Sequence, residues 1–297
     1  MKKNVWTKIT AVLLSFVVLV LAGCSKELEK EIDVQESEKI EVVHPLRSTQ
    51  YGESFYFENE NGWEYELREL GYTGIETLYQ SENEYGHYFI VTADGEGWYE
   101  EAVNTLAVFE SQDSIEIAVV SECSILEKFE PCEIDGNADT EEFMLCFDYM
   151  GNGGAGSHET QIWNFQYGMP MFLFSSGCDL GYASALNDGY EMVIDNVYTG
   201  YQTRVNIKEN FEAEFFFDEN GNPNGGGGAD FDGVYETVLE DIDNDGNYEL
   251  VCKSYSFLGS HANYVGSTVT TIDYNTDVIG FVIVDTEFVV PIGDGLV

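Results

Sequence analysis

Short stretches rich in β-branched and aromatic residues, separated by clusters of Gly, Asn and Asp, dominate this chain from Tyr51 onward. Such stretches are typical of β-strands, and the residues between them are natural turn formers. Examples are "HYFIVTA", "SIEIAVV", "FMLCFDY" and "YELVCKSY". Residues 99–110 ("YEEAVNTLAVFE") have apolar residues near helical spacing and are the best candidate for a helix. The sequence therefore predicts a mainly all-β domain over residues 51–297.

Two segments of this domain are similar to each other without gaps. Residues 133–143 ("EIDGNADTEEF") align with residues 241–251 ("DIDNDGNYELV"), and each is followed by a strand-like stretch and a Gly-Ser-His tripeptide, ending at His158 and His261. Weaker copies lie at residues 82–91 and 186–193. Such repetition predicts a repeat β domain, arranged as a small or irregular β-propeller-like fold or, alternatively, as a β-sandwich.

The repeated segments carry acidic residues at alternate positions of a tight turn. Ca²⁺ prefers six to eight oxygen ligands from a flexible loop, and this spacing delivers carboxylates to one point. An EF-hand would have Glu at the position of Cys252, so the loop is of another type. A solvated Asp/Asn turn is the alternative. The predicted calcium ligands are Asp241, Asp243, Asp245, Asn247 through its carbonyl, and Glu249, with Glu133, Asp135, Asn137, Asp139 and Glu141 in the first copy.

Acids at positions 1, 3, 5 and 9 followed by a strand resemble the calcium loops of FG-GAP and VCBS-type repeats. These repeats form β-propeller blades in integrin-like and bacterial surface proteins. The resemblance covers residues 241–251 well and residues 133–143 in part, and it implies bound Ca²⁺ in a surface protein. Ala138 stands where the other copy has Gly246, and a Cβ in a left-handed turn costs about 1–2 kcal/mol. We therefore expect the first site to be the weaker one.

The N-terminus has the form of an export signal. Lysines precede the apolar run "AVLLSFVVLVLAG", which is too short for a comfortable transmembrane helix. The signal ends in "LAGC", which closely resembles the lipobox of bacterial lipoproteins; this resemblance implies that Cys24 is acylated and becomes the mature N-terminus. We predict a signal peptide over residues 1–23, a lipid-anchored charged tether over residues 24–50, and an extracytoplasmic domain held at the bacterial cell membrane.

The charge of the chain limits its partners. Its 12 Lys and Arg against 55 Asp and Glu give a net charge of −43, so nucleic acid is excluded as a partner because phosphate binding requires cationic contacts. The predicted function is that of a surface-anchored, calcium-stabilised binding or adhesion-type lipoprotein whose ligand is a glycan or a protein. The alternatives are an exported hydrolase and a purely structural envelope lipoprotein.

Catalytic motifs are weak in this sequence. "GNGGAG" fits a dinucleotide-binding pattern but lacks a following apolar helix, and no G-x-S-x-G is present. No catalytic residue and no organic cofactor is therefore assigned, and the protein is expected to be a binding protein rather than an enzyme. Convergence of His158, His261 and an Asp in one cavity would favour the hydrolase alternative.

The cysteines allow one disulfide hypothesis. Cys123 and Cys132 flank the short segment "SILEKFEP" and could bridge a hairpin in an oxidising exterior. Cys146 and Cys252 lie in apolar strand patterns, so we expect them in the core as small hydrophobic residues. Cys178 is not assigned.

Overall fold

The structure, a computed structural model, describes residues 45–46, 53–95, 102–137, 140–149, 158–166, 169–210, 213–225 and 227–290. The predicted signal peptide and Cys24 lie outside the described residues, as does nearly all of the predicted tether. Leu46, near the end of that tether, donates its backbone N–H to the carbonyl of Phe281 at 2.7 Å and packs against a buried cluster. The predicted tether, which was expected to be solvated, thus contacts the domain at Leu46.

The described residues are mainly β-strand, as the sequence predicts, with two short helices. The elements follow in this order: β1 (Ser54–Glu58), α1 (Trp63–Glu69), β2 (Glu76–Glu82), β3 (His87–Asp94), β4 (Val103–Glu110), β5 (Ser114–Cys132), β6 (Glu141–Asp148), β7 (His158–Gln166), β8 (Met169–Ser175), β9 (Tyr182–Asn187), β10 (Glu191–Asn196), β11 (Gln202–Asn206), α2 (Ala213–Phe216), β12 (Asp230–Glu240), β13 (Glu249–Phe257), β14 (Tyr264–Asn275) and β15 (Gly280–Val289).

The strands form three antiparallel sheets. The largest has the order β2-β3-β4-β5-β6-β7-β8, with β1 also paired to β5; the second has the order β11-β10-β9, and the third β12-β13-β14-β15. Neighbouring strands are mostly consecutive in sequence, so the sheets are meanders whose registers are set by hairpin turns. The weaker repeat copies, residues 82–91 and 186–193, lie at the β2–β3 and β9–β10 hairpins.

The long strand β5 lets the largest sheet fold back on itself. Its first part pairs with β4 and its second part with β6, and the change falls near Cys123, whose φ is +50°. Side chains from the two parts then pack face to face, for example Phe109 of β4 with the buried Phe165 of β7 in one cluster. This arrangement is a sandwich-like packing of β-strands.

Two further clusters join the sheets to one another. One lies between β6–β8 and the third sheet and contains Met144, Phe174 and Leu250, together with Cys252. The other lies between the second and third sheets and contains Ile194 and Val265. Two threonines also connect the largest sheet to the third, since Thr160 of β7 donates its hydroxyl to that of Thr237 of β12 at 2.8 Å, and both are buried. The all-β class is therefore confirmed, and the packing is of the sandwich-like kind.

One predicted helix is wrong. Within residues 99–110, the described part from Val103 to Glu110 forms β4. Its residues from Thr105 to Phe109 are all buried, because clusters cover both faces of the strand. A strand buried on both faces is apolar at nearly every position, and such a run satisfies helical spacing as well.

The disulfide hypothesis for Cys123 and Cys132 is also wrong. Both residues lie on β5, nine residues apart, and both are free thiols. A strand of that length spans on the order of 30 Å, whereas a disulfide requires Cα atoms within about 7 Å. Cys252 is buried as predicted, while Cys146 is half-buried at the edge of the same cluster.

Candidate metal centre

The two acidic loops occupy equivalent places in two similar meanders. Residues 133–140 connect β5 to β6, and residues 241–248 connect β12 to β13; each loop joins the first two strands of a four-stranded antiparallel meander. Gly136 and Asn244, which align with each other, both have left-handed backbone, with φ of +72° and +64°. The local turn is therefore shared by the two copies. Ala138, where we expected strain, lies outside the described residues.

The second loop brings its three aspartates together. Oxygen atoms of Asp241, Asp243 and Asp245 lie within 4.8 Å of one another. Asp243 accepts the backbone N–H of Asp245 at 3.1 Å, and Asp245 accepts that of Asn247 at 2.8 Å, so each carboxylate fixes the turn that follows it. Oδ1 of Asp241 is enclosed and has no hydrogen-bond partner. Three of the five predicted ligands, Asp241, Asp243 and Asp245, are thus brought together in this loop.

Glu249 is a buried residue at the end of the second loop, and its side chain bonds back to the start of that loop. It begins β13, is 6% exposed, and accepts the backbone N–H of Ile242 at 2.6 Å. Burial raises the pKa of Glu249, and the nearby Asp243 and Asp273 raise it further. A carboxyl group held in this way stabilises the turn, whereas the group of close carboxylates consists of Asp241, Asp243 and Asp245 and does not include Glu249.

The first loop contains a more enclosed cluster. Oxygen atoms of Glu133, Asp135 and Glu142 lie within 4.8 Å of one another. Glu142 is only 1% exposed, and its Oε1, like Oε1 of Glu133, is buried without a hydrogen-bond partner. Burial raises the pKa of Glu142 to about 7, and the negative charges of Asp135 and Glu133 act in the same direction. A positive ion would relieve both effects.

The structure groups Glu142, rather than the predicted Glu141, with the carboxylates of this loop. Glu141 is exposed and accepts hydrogen bonds from the hydroxyl groups of Tyr79 and Ser81, at 3.1 and 2.8 Å. Glu142 instead accepts the backbone N–H of Ile134, at 3.4 Å, as Glu249 does that of Ile242. The connection between the last paired strand residues is one residue longer in the first hairpin, from Cys132 to Glu142, than in the second, from Glu240 to Glu249. Neighbouring residues of a strand point to opposite faces, so this shift exchanges Glu141 for Glu142.

Of the remaining predicted ligands of the first loop, one makes hydrogen bonds within the loop and the other lies outside the described residues. The carbonyl oxygen of Asn137 accepts two hydrogen bonds from Thr140, both at 2.9 Å. Asp139 lies outside the described residues. In the second loop the side-chain amide of Asn247 donates to Asp245 at 3.0 Å. Strand periodicity could not have distinguished Glu142 from Glu141, because Met144 on the face of Glu142 and Phe143 on the face of Glu141 are both buried.

The two loops contact each other directly. The backbone N–H of Tyr248 donates to the carbonyl of Glu133 at 2.8 Å, and a Cβ placed on Gly136 would lie 3.4 Å from the side-chain amide of Asn247. Burial raises the pKa of Asp273, and Asp243 and Asp245 raise it further. Among the described residues, no ion pair involves the acids of either cluster. The loops therefore form one strongly negative end of the sandwich.

The histidines of the repeated Gly-Ser-His do not meet in one cavity. His158 lies 3.1 Å from Glu127 and lines a cavity between β7 and β12. His261 lies 3.1 Å from Asp232, which lines a different and larger cavity. The convergence that would favour a hydrolase is thus not observed among the described residues.

The larger cavity is a polar groove of about 500 Å³ between β9, β12 and the loop after β8. Its lining includes carboxylates, serine hydroxyls and an aromatic pair, and none of the described residues that line it is Lys or Arg. Tyr182 and Phe231 stack in its wall with ring centroids 5.3 Å apart. Oδ2 of Asp232 is enclosed and has no hydrogen-bond partner. The polar groups that line the groove are Ser176, Asp179, Ser184, Asp230, Asp232 and Ser254.

No protein-family model matches this chain, and no curated protein is significantly similar to it. Among the described residues, no helix combines the length and the apolar character needed to cross a bilayer.

Proposed function

We propose that this protein is a bacterial surface lipoprotein whose β domain is stabilised by calcium at the two acidic loops and binds a glycan. The observation that carries the calcium proposal is the carboxyl group of Glu142. It is buried beside Glu133 and Asp135, and one of its oxygens has no partner. Burying an unpaired carboxylate is costly, so a protein that retains one at such a place gains from a bound cation.

The chemistry of the donors favours Ca²⁺ over other ions. Both clusters present oxygen atoms only, from carboxylates on short loops. Hard cations prefer such ligands, and Ca²⁺ accepts irregular geometry with six to eight oxygens, while Mg²⁺ demands a near-octahedral set. A dissociation constant of about 10⁻⁴ to 10⁻³ M would be sufficient outside the cell. The ions would hold together two loops that belong to different sheets.

The proposed location at the outer side of the bacterial cell membrane is supported by two features of the sequence. The "LAGC" motif supports acylation of Cys24, and the charged segment that follows supports a tether between the membrane and the domain. The excess of acidic residues, which gives the full chain a net charge of −43, would keep such a domain soluble and separate from anionic lipids.

The polar groove supports a glycan as the ligand. Carboxylates and hydroxyl groups accept and donate hydrogen bonds to sugar hydroxyls, and the concave shape suits a small ligand better than a flat protein surface. Because Asp179, Asp230 and Asp232 all line the groove, a neutral glycan is favoured over an acidic one.

The calcium proposal predicts a metal-specific rise in thermal stability. For the purified protein, calcium at 100 times the dissociation constant of a site should add about 2.7 kcal/mol per occupied site to the free energy of unfolding. Magnesium should add less, and chelator should remove the effect. The measurement is thermal unfolding followed by circular dichroism, with Asp243→Ala/Asp245→Ala as the site variant and the exposed Asp285→Ala as its control. An equal effect of magnesium, or an unchanged calcium effect in the double variant, would disprove the proposal.

The glycan proposal predicts binding of neutral oligosaccharides at the groove. A glycan array should give signals with neutral glycans and none with sialylated or sulfated ones. Asp230→Ala/Asp232→Asn should abolish these signals because it removes two lining carboxylates, while Asp285→Ala should leave them unchanged. Selective binding of acidic glycans, or signals that survive the groove variant, would contradict this assignment.

A further inference from the structure

A second group of metal-binding side chains lies away from the acidic loops. Ligand atoms of Glu127, Asp148 and His158 lie within 4.8 Å of one another. Nδ1 of His158 is 3.1 Å from Oε2 of Glu127. Unlike the two loop clusters, this group includes a nitrogen donor, and its residues come from three neighbouring strands rather than from one turn.

The backbone directs these three side chains to one face of the sheet. Asp148 of β6 lies directly opposite His158 of β7, so their side chains share a face. Glu127 is the extra residue of a β-bulge in β5, between Leu126 and Lys128, which pair with consecutive residues of β6. A bulge changes the direction of side chains and is often found beside functional sites.

In the second meander, which consists of β12–β15, the positions equivalent to Glu127, Asp148 and His158 carry aromatic and hydroxyl side chains. Its β12 has a bulge at the equivalent place, between Val234 and Glu236, so Tyr235 corresponds to Glu127. Tyr255 and Ser267 pair with each other as Asp148 and His158 do. The rings of Tyr235 and Tyr255 stack with centroids 3.9 Å apart, and the hydroxyl of Tyr235 lies 3.4 Å from that of Ser267. The fold therefore does not require charged groups there.

A cavity adjoins the group on the side of the third sheet. It has a volume of about 250 Å³ and is lined by Glu127 and Lys128 of β5, by Cys146, by residues 158–160 of β7 and by residues 234–238 of β12. The ammonium group of Lys128 is paired with Glu130 at 2.6 Å. His158 is only partly exposed, with a quarter of its side-chain surface accessible. An ion held by the three side chains would have its remaining coordination positions directed toward this space.

We propose that Glu127, Asp148 and His158 bind a divalent transition-metal ion of the zinc class, with open coordination positions facing the cavity between β7 and β12. One imidazole nitrogen and two carboxylates are donors that Zn²⁺ accepts, while Ca²⁺ and Mg²⁺ prefer oxygen alone. A site with three protein ligands and an open position is the kind that binds an exogenous group. This site does not depend on the calcium proposal, since it shares no residue with the loops.

The test is a titration of the purified full chain with Zn²⁺ in a large excess of Ca²⁺, which occupies the oxygen-only sites. We expect one equivalent of zinc to bind per chain, and Co²⁺ to give the visible absorption of a nitrogen- and oxygen-coordinated ion. His158→Ala should weaken zinc binding by more than about 100-fold, because loss of even an outer-shell partner costs 10- to 100-fold. Glu127→Gln should weaken it as well.

His261→Ala is the matched control, because His261 ends the other Gly-Ser-His and also contacts a carboxylate. It should leave zinc affinity unchanged. Circular dichroism in Ca²⁺ should show that each variant is folded. Failure of zinc to bind in calcium, or equal affinity in the wild type and in His158→Ala, would overturn the proposal.

Discussion

Glu142→Gln should make the metal-free protein more stable at pH 8 and should also reduce its stabilisation by calcium. Burial raises the pKa of Glu142 from 4.5 to about 7, so above pH 7 the folded protein carries a buried, incompletely paired carboxylate. A pKa difference of this size between the folded and unfolded states corresponds to about 3 kcal/mol in the free energy of unfolding. Gln keeps the size of the side chain and can still accept the N–H of Ile134, while its amide can donate to the neighbouring carboxylates.

The pH dependence of this effect has a defined direction. The folded state holds the proton of Glu142 more tightly than the unfolded state does, so its contribution to stability is fully present below pH 4.5. That contribution is lost as pH rises through about 7. In chelator, the stability difference between Glu142→Gln and the wild type should therefore grow from pH 4.5 to pH 8. The measurement is urea unfolding at a series of pH values.

Glu141→Gln is the control for this experiment. Glu141 is adjacent in sequence, but it is exposed and contacts Tyr79 and Ser81 rather than the cluster. It should change neither the pH profile nor the calcium response. Should Glu141→Gln, and not Glu142→Gln, reduce the calcium response, the assignment of the first loop by its hydrogen bonds would be refuted.

The local features of the fold could be predicted from the sequence, but the long-range ones could not. Strands such as β13 and β14 follow from β-branched and aromatic runs between turn residues. The failure at β4 has a physical cause, since a strand covered on both faces loses its alternation. The bend of β5 near Cys123 depends on its pairing with two different strands, which no local pattern records.

The same distinction applies to the sites. Asp241, Asp243 and Asp245 converge because they belong to one turn, and the sequence predicts this. Glu142 was missed because a gapless alignment cannot detect that the strands of the first hairpin pair with one more residue between their last partners than those of the second. Three groups on separate strands, such as Glu127 and its partners, meet only through register and a bulge, so they required the structure.

Trp163→Ala should destabilise the domain by about 3–5 kcal/mol, the usual cost of removing a large buried aromatic side chain. Trp163 is 1% exposed, and its ring packs edge-on against Phe172 with centroids 5.5 Å apart. Its Nε1–H donates to Oε1 of the buried Gln161 at 2.7 Å, so truncation also removes the partner of an enclosed oxygen. Chemical unfolding in saturating calcium would measure the loss, with Trp163→Phe as a less disruptive comparison.

This variant also separates the fold from the metal sites. Trp163 belongs to the cluster inside the folded-back sheet, whereas Ile134, in the first acidic loop, belongs to the cluster between the sheets. Trp163 pairs with Phe143, the neighbour of Glu142, but its side chain points to the opposite face of the sheet from that of Glu142. Mutational effects at sites that share no side-chain partners usually add. Calcium should therefore stabilise Trp163→Ala by the same increment as the wild type, although the variant starts from a lower stability. If calcium did not stabilise Trp163→Ala, the loops would form only when the whole sandwich is intact. Calcium binding would then be a consequence of the complete fold, and the ions would not hold two preformed loops together.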